Sequence, residues 1–99
     1  MRVDRDDDRA RSNLIKYQVA FDVAVKIFDD PDALTVFDRV VDREESWRTV
    51  GRIGLTTILF AAHTWVDEEG EVYVRIIMAR KTTRHEVQGY ETGNERYLR

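Results

Sequence analysis

The chain has 99 residues and a mass of 11.7 kDa, one domain's worth of sequence, and at 42% hydrophobic it holds enough apolar material for one modest core. Lys and Arg number 16 against 19 Asp and Glu, a net charge of −3 that argues against bulk nucleic-acid binding driven by global charge. With no cysteine, a disulfide framework and thiolate metal sites are excluded, and an intracellular, cytoplasmic setting is expected. The longest unbroken apolar run, Ile58 to Ala62, is far below the ~20 residues that span a bilayer, so no membrane association is expected, and no apolar leader follows the polar start.

Arg2 to Asp4 reads as a short edge strand. Residues 6–17 read as a helix, with Ala10, Leu14 and Tyr17 at helical spacing and Asp6 to Asp8 at its positive dipole end. A second helix is carried by the stripe Phe21, Ala24, Val25 and Phe28, and it stops at Asp29-Asp30-Pro31. Four stretches rich in β-branched and aromatic residues follow, over 33–41, 46–52, 57–65 and 71–80, which suggests an antiparallel meander. Gly54 marks the second turn, and Glu68-Glu69-Gly70 suits a three-residue loop with Gly70 left-handed. The last element is a polar helix from about Thr82, where Thr83 and Glu86 have the spacing of a capping box.

On the fourth strand Val72, Val74, Ile76 and Met78 make one apolar face, which should meet the helices, and Tyr73, Arg75, Ile77 and Ala79 make a mixed one. A three-residue loop would pair Asp67 with Glu71, place His63 opposite Arg75 and Trp65 opposite Tyr73, and gather these four on an uncovered sheet surface. The charge is unevenly spread: residues 1–50 hold nine Lys/Arg and twelve Asp/Glu, while residues 51–99 hold seven of each. Within the second half, the run Arg80 to His85 is purely basic and Asp67 to Glu71 purely acidic, so a local cationic site is compatible with a net-acidic chain.

Several strings in order resemble a known family. Asn13 with Lys16, Val19 and Phe21 is similar to an Asn-x-x-Lys-His-Gly-Val segment, and Glu45 to Gly51 to a Glu-Arg-Trp-x-x-Ile-Gly strand. His63-Thr64 matches a strand-end His-Thr pair, and Arg75 to Glu86, followed by Tyr90, resembles an Arg-Ile-Ile-Ser-Ala-Arg-x-Ala-Thr-x-x-Glu block. The family they resemble is the BrnT toxins, ribonuclease members of the wider RelE-like toxin group. Tyr17-Gln18 stands where that family has His-Gly, Met78 where it has a small polar residue, and Thr82 where it has alanine. The resemblance implies an α+β, RelE-like fold: a short strand and two helices, then an antiparallel sheet of three to four strands and a closing helix. It implies the toxin of a bacterial type II toxin–antitoxin pair, a metal-independent ribonuclease that blocks translation and needs no cofactor. The implied partner is a BrnA-like ribbon-helix-helix antitoxin in a hetero-oligomer, with operator DNA contacted only through that antitoxin.

Such a ribonuclease lets the 2′-hydroxyl attack its own phosphate, which requires a proton acceptor, cations for the developing charge and a proton donor to the leaving oxygen. His63 and His85 are the only histidines. A histidine in an apolar strand is more often structural, yet the His-Thr match puts His63 in the catalytic set, whereas His85 reads as solvated helix surface. Arg80 and Arg84, four apart around a strand-to-helix junction, make the best phosphate site, with exposed ion pairing as the bland alternative. Lys16 joins them through the Asn-x-x-Lys match. Arg75, Lys81 and Tyr90 are candidate RNA contacts, although an aromatic in a terminal helix more often packs on the sheet. Trp47 favours the core, and Glu86 is accounted for by the capping box. The spacing of histidines and carboxylates matches no metal site. Asp29, Asp30 and Asp32 could receive a basic segment of a partner. The rival readings are a non-catalytic protein-interaction module that has lost nuclease chemistry and an RNA binder that stacks bases on Trp65 and Tyr73.

Overall fold

A computed structural model describes all 99 residues. In chain order they form β1 (Arg2–Asp4), α1 (Asp7–Tyr17), α2 (Phe21–Ala24) running into a 3-10 helix (Val25–Asp29), β2 (Leu34–Val41), β3 (Glu44–Ile53), β4 (Thr57–Thr64), β5 (Val66–Glu68), β6 (Glu71–Lys81), α3 (Arg84–Thr92) and a 3-10 turn (Glu95–Leu98). The architecture is α+β, as expected. No helix is long and apolar enough to cross a membrane.

Local chemistry explains the helix ends. Asp6 caps α1 by accepting from the Arg9 amide at 3.1 Å, with Asp7 and Asp8 in the first turn and Lys16 in the last, each matched to the dipole. Gln18 ends α1 in the left-handed region at φ 57°, ψ 31°, the conformation for which the glycine of the resembling family is better suited. At the other end of the chain Thr83 caps α3, and its capping box with Glu86 is complete, the Glu86 amide donating to Thr83 at 3.2 Å and Glu86 accepting from the Thr83 amide at 2.9 Å.

The sheet order is β1-β6-β4-β3-β2, with β5 also pairing with β6. Strands β2, β3, β4 and β6 form the expected antiparallel meander, and two further pairings enlarge it: β1 lies parallel to β6, Arg2 beside Tyr73, and β5 extends β4 along β6. A parallel partner far along the chain leaves no local sequence signal, which is why this pairing is absent from the sequence reading. Beyond β1, the open edge of β6 is occupied by α1. The buried Asn13 side chain pairs with the Ala79 backbone as a neighbouring strand would, donating to its carbonyl at 2.8 Å and accepting from its amide at 3.0 Å, while also donating to the Val19 carbonyl at 2.9 Å.

Each face of the sheet carries its own apolar cluster. On the first face Val19, Ala24 and Ile27 pack over Leu59, Ala61, Ile76 and Ala79, with Phe21, Val25, Phe28 and Ile53 around them, so the expected helical stripe is the covering surface. Gly51 lets the 3-10 helix approach, since a Cβ there would lie 2.8 Å from Ile27 Cβ. On the second face Tyr90 and Leu98 pack over Val36, Val50 and Phe60. Fully burying a Val- or Ile-sized side chain stabilises by roughly 1.5–3 kcal/mol, and the two clusters share one sheet only because its strands are apolar on both sides.

The register corrects the expected last hairpin. Glu68 pairs with Glu71 and Asp67 with Val72, so the connection is a two-residue turn, Glu69 and Gly70, with φ 53° and 84°. Two successive positive φ values match the right-handed twist of paired strands and favour this tight turn over the three-residue loop. Asp42 and Arg43, φ 50° and 67°, close the β2–β3 hairpin in the same way without a glycine. The Glu69-Gly70 turn pairs Tyr73 with Val66, not Trp65, and His63 with Ile76, not Arg75, and a bulge between Ala62 and His63 of β4, where Ile77 of β6 has no partner, shifts the register beyond that point. Past the bulge the faces exchange: Ala79 joins Ile76 in the first-face cluster and Met78 packs on the second.

Candidate functional site

His63 is fully buried on the first face, with the Phe28 ring at 4.8 Å edge to face. Its Nδ1 lies 3.0 Å from the Thr64 carbonyl, an acceptor only, so Nδ1 carries the proton and Nε2 accepts from the Thr49 hydroxyl at 2.6 Å. Thr49 in turn accepts from the Thr35 hydroxyl at 2.8 Å, which completes a chain of hydrogen bonds across β2, β3 and β4. Burial lowers the His63 pKa, only partly opposed by the bond to Thr64, and keeps the ring neutral. His63 is therefore walled off from solvent and from every cation proposed to join it. Arg75 sits elsewhere, ion-paired to Glu44 at 2.6 Å.

Tyr90 is likewise structural. Its ring is buried, its hydroxyl donates to Asp30 at 2.6 Å, and the Arg52 guanidinium lies 5.6 Å from its centroid. Burial and the Asp30 bond push its pKa up to about 12. Asp30 also accepts from the Arg52 and Asp32 amides at 2.7 and 2.9 Å. These bonds outweigh burial and hold its carboxyl below the usual range, so Asp30 ties the 3-10 helix, β3 and α3 together and is not available to a partner. Trp65, on the first face with Phe28 and His63, shares no platform with Tyr73. His85 is exposed against the Tyr97 ring at 4.5 Å.

The remaining candidates lie on α1, at the end of β6 and at the start of α3. A groove of about 340 Å³ between α1 and β6 is lined by Asp8, Arg9, Ser12, Asn13, Lys16, Tyr17, Ile77 and Met78. Lys16 is exposed, makes no ion pair and lies 5.2 Å from the Tyr17 ring centroid. Arg80 stacks 4.1 Å above the Phe60 ring and forms a fork with Glu86 through Nη1 at 2.8 Å and Nη2 at 2.9 Å, while Nη1 also donates to the Lys81 carbonyl at 3.2 Å. Of its five donors three are used, and the Nε–Nη2 edge remains open. The Glu86 bonds, working against burial, raise the Arg80 pKa. Burial disfavours charged Glu86, but the Arg80 and Thr83 bonds prevail and hold its carboxyl low. Arg84 and Lys81 are exposed without ion-pair partners. Sequence reasoning missed the use of Glu86 beyond the cap, the Asn13 clamp and the place of Tyr17 in the groove. Only the Asn-x-x-Lys-Tyr spacing, one helical turn, pointed to a shared face.

The fold is a small α+β domain with a groove between α1 and β6, and the class it matches is the ribonuclease toxin of type II toxin–antitoxin systems, whose family model covers residues 6–86. The chain belongs to that family, BrnT. No curated protein matches the chain.

Proposed function

We propose that this protein is the toxin of a bacterial type II toxin–antitoxin pair and cleaves RNA in the cytoplasm, without a metal, by internal attack of a 2′-hydroxyl on the adjacent phosphate. The P–O5′ bond breaks as the 2′-oxygen bonds to phosphorus, the 2′-hydroxyl proton passing to water and the departing 5′-oxygen taking one from water, leaving a 2′,3′-cyclic phosphate and a 5′-hydroxyl; translation stops as RNA is lost. The observation that carries this reading is the Arg80 guanidinium, fixed by Glu86 and Phe60 with one donor edge free, two residues along β6 from Met78 of the Lys16 groove. That edge fits two phosphate oxygens, and a preset donor pair costs no reorganisation as charge develops. Lys16 and Arg84 supply the adjacent positive charge, and Lys81 tracks the RNA backbone. Neutralisation falls to a ribbon-helix-helix antitoxin in a hetero-oligomer, and operator DNA is contacted through that partner alone.

Cleavage of a structured RNA by the purified chain tests this. Arg80→Lys keeps the charge and loses the fork, and Lys16→Ala removes the groove cation; each is expected to lower the rate by about 100-fold with the circular dichroism spectrum unchanged. Full activity in both variants refutes the site. A specific observation favours the rival non-catalytic module: His63 is buried away from the groove, and Tyr17 stands where the resembling family has histidine. On that reading, induction of the isolated chain leaves growth and RNA intact while the antitoxin still binds.

A further inference from the structure

The first face of the sheet is only partly covered. Past the end of the 3-10 helix an aromatic strip crosses four elements: Phe37 on β2 meets Trp47 on β3 at 5.4 Å, Trp47 pairs with His63 on β4, and Phe28 and Trp65 flank that histidine at 4.8 and 6.3 Å. Val40, paired with Glu45, extends it along the sheet edge. Phe37 is 48% exposed, Val40 61% and Trp65 37%, so the strip presents an apolar surface to solvent beside the free β2 edge. The isolated exposed Leu55, by contrast, has no apolar neighbour across a strand pair. Acids border the strip. Asp29 follows Phe28, and strand alternation puts Glu45 on the side of Trp47 and Asp67 on the side of Trp65; all three are exposed and without ion-pair partners, against Lys26 in the 3-10 helix. Of the unpaired cations, Lys16 lies on α1, Lys81 at the far end of β6 opposite Leu59, and Arg84 at the start of α3.

We propose that this strip is the docking surface for the antitoxin, which seats on it a segment carrying apolar side chains and flanking Lys or Arg. Aromatic rings supply rigid contact area, and the acidic rim selects a basic partner while repelling RNA. The inference rests on the toxin–antitoxin reading for the existence of the partner and adds where it binds and what chemistry it brings. It places antitoxin and phosphate on opposite faces of the sheet, since Met78 and Arg80 lie on the second face.

The test uses the full chain and the purified product of the open reading frame adjoining its gene. Phe37→Glu with Trp65→Glu, both at half-exposed positions, is expected to weaken binding by about 100-fold or more with folding and RNA cleavage retained. Asp29→Lys with Glu45→Lys is expected to weaken it further as salt is lowered. Both tryptophans of the chain lie in the strip, so 5-fluorotryptophan placed in this chain alone gives two fluorine resonances that shift when the partner is added. Unchanged affinity in the Phe37/Trp65 variant, with Ile15→Glu on the exposed side of α1 abolishing binding instead, overturns the surface and leaves the partner reading intact. Failure of the unmodified chain to bind the product overturns both. A dimer of this chain that the Phe37/Trp65 variant dissolves assigns the strip to a second copy and overturns the proposal, as does loss of RNA cleavage with antitoxin binding retained.

Discussion

Replacing Asn13 by alanine removes the only partners of the Ala79 amide and carbonyl outside the sheet and one of the Val19 carbonyl, at a site where Asn13 is 4% exposed and Ala79 fully buried. A buried backbone group left without a partner costs about 1–3 kcal/mol, so the two Ala79 groups together predict a loss of roughly 2–6 kcal/mol, a large part of the stability of a domain this size. Urea unfolding followed by circular dichroism measures it, with the dependence on denaturant held the same as a check that one transition is being compared. Asn13→Asp refines the test. It keeps the acceptor for the Ala79 amide but aims a carboxylate at two carbonyls, so the variant is expected to gain stability as pH falls and the side chain protonates. A loss below about 1 kcal/mol for Asn13→Ala, or an Asp variant indifferent to pH, refutes the strand-mimic role.

Three other outcomes are expected. Because His63 titrates lower when folded than its ordinary value of 6.5, the unfolded chain binds the extra proton first, so stability falls as pH is lowered below about 6.5 with a slope of up to about 1.4 kcal/mol per unit; a flat urea midpoint from about pH 7 to 5.5 contradicts this. Tyr90 is raised from 10.0 to about 12, so stability is lost as pH climbs through that interval, and Tyr90→Phe removes this alkaline loss in the same titration. Gln18→Gly is expected to stabilise by about 0.5–1 kcal/mol by relieving the left-handed backbone, whereas Gly51→Ala, driven against Ile27, is expected to cost about 1–3 kcal/mol; thermal melts rank the two.

Features written in neighbouring residues were legible. The Phe21–Ala24–Val25–Phe28 stripe, the Thr83–Glu86 cap and the four meander strands are all specified within one helical turn or one strand, and the structure carries each of them. What escaped depends on contacts between distant residues or on one-residue shifts. The unpartnered Ile77 in β6 exchanges Met78 and Ala79 between faces, and the tight Glu69-Gly70 turn moves Tyr73 away from Trp65; neither has a compositional mark. The candidate site divides in the same way. Arg80 and Lys16 are candidates by their spacing and resemblance, but a strand histidine looks the same whether it faces solvent or the Thr49 hydroxyl and the Phe28 ring, and only the register turns His63 inward.

The Asn13 clamp spans 66 positions of sequence, and β1 finds its partner even farther along the chain. During synthesis the first helix leaves the ribosome long before the strand that holds it, while the meander can pair as it emerges. The groove that Lys16 lines thus comes into being only once β6 has been made and α1 has docked on it. A product that stops before β6 would carry the helix and its lysine without the strand that forms the other wall, which makes synthesis through β6 a condition for the groove.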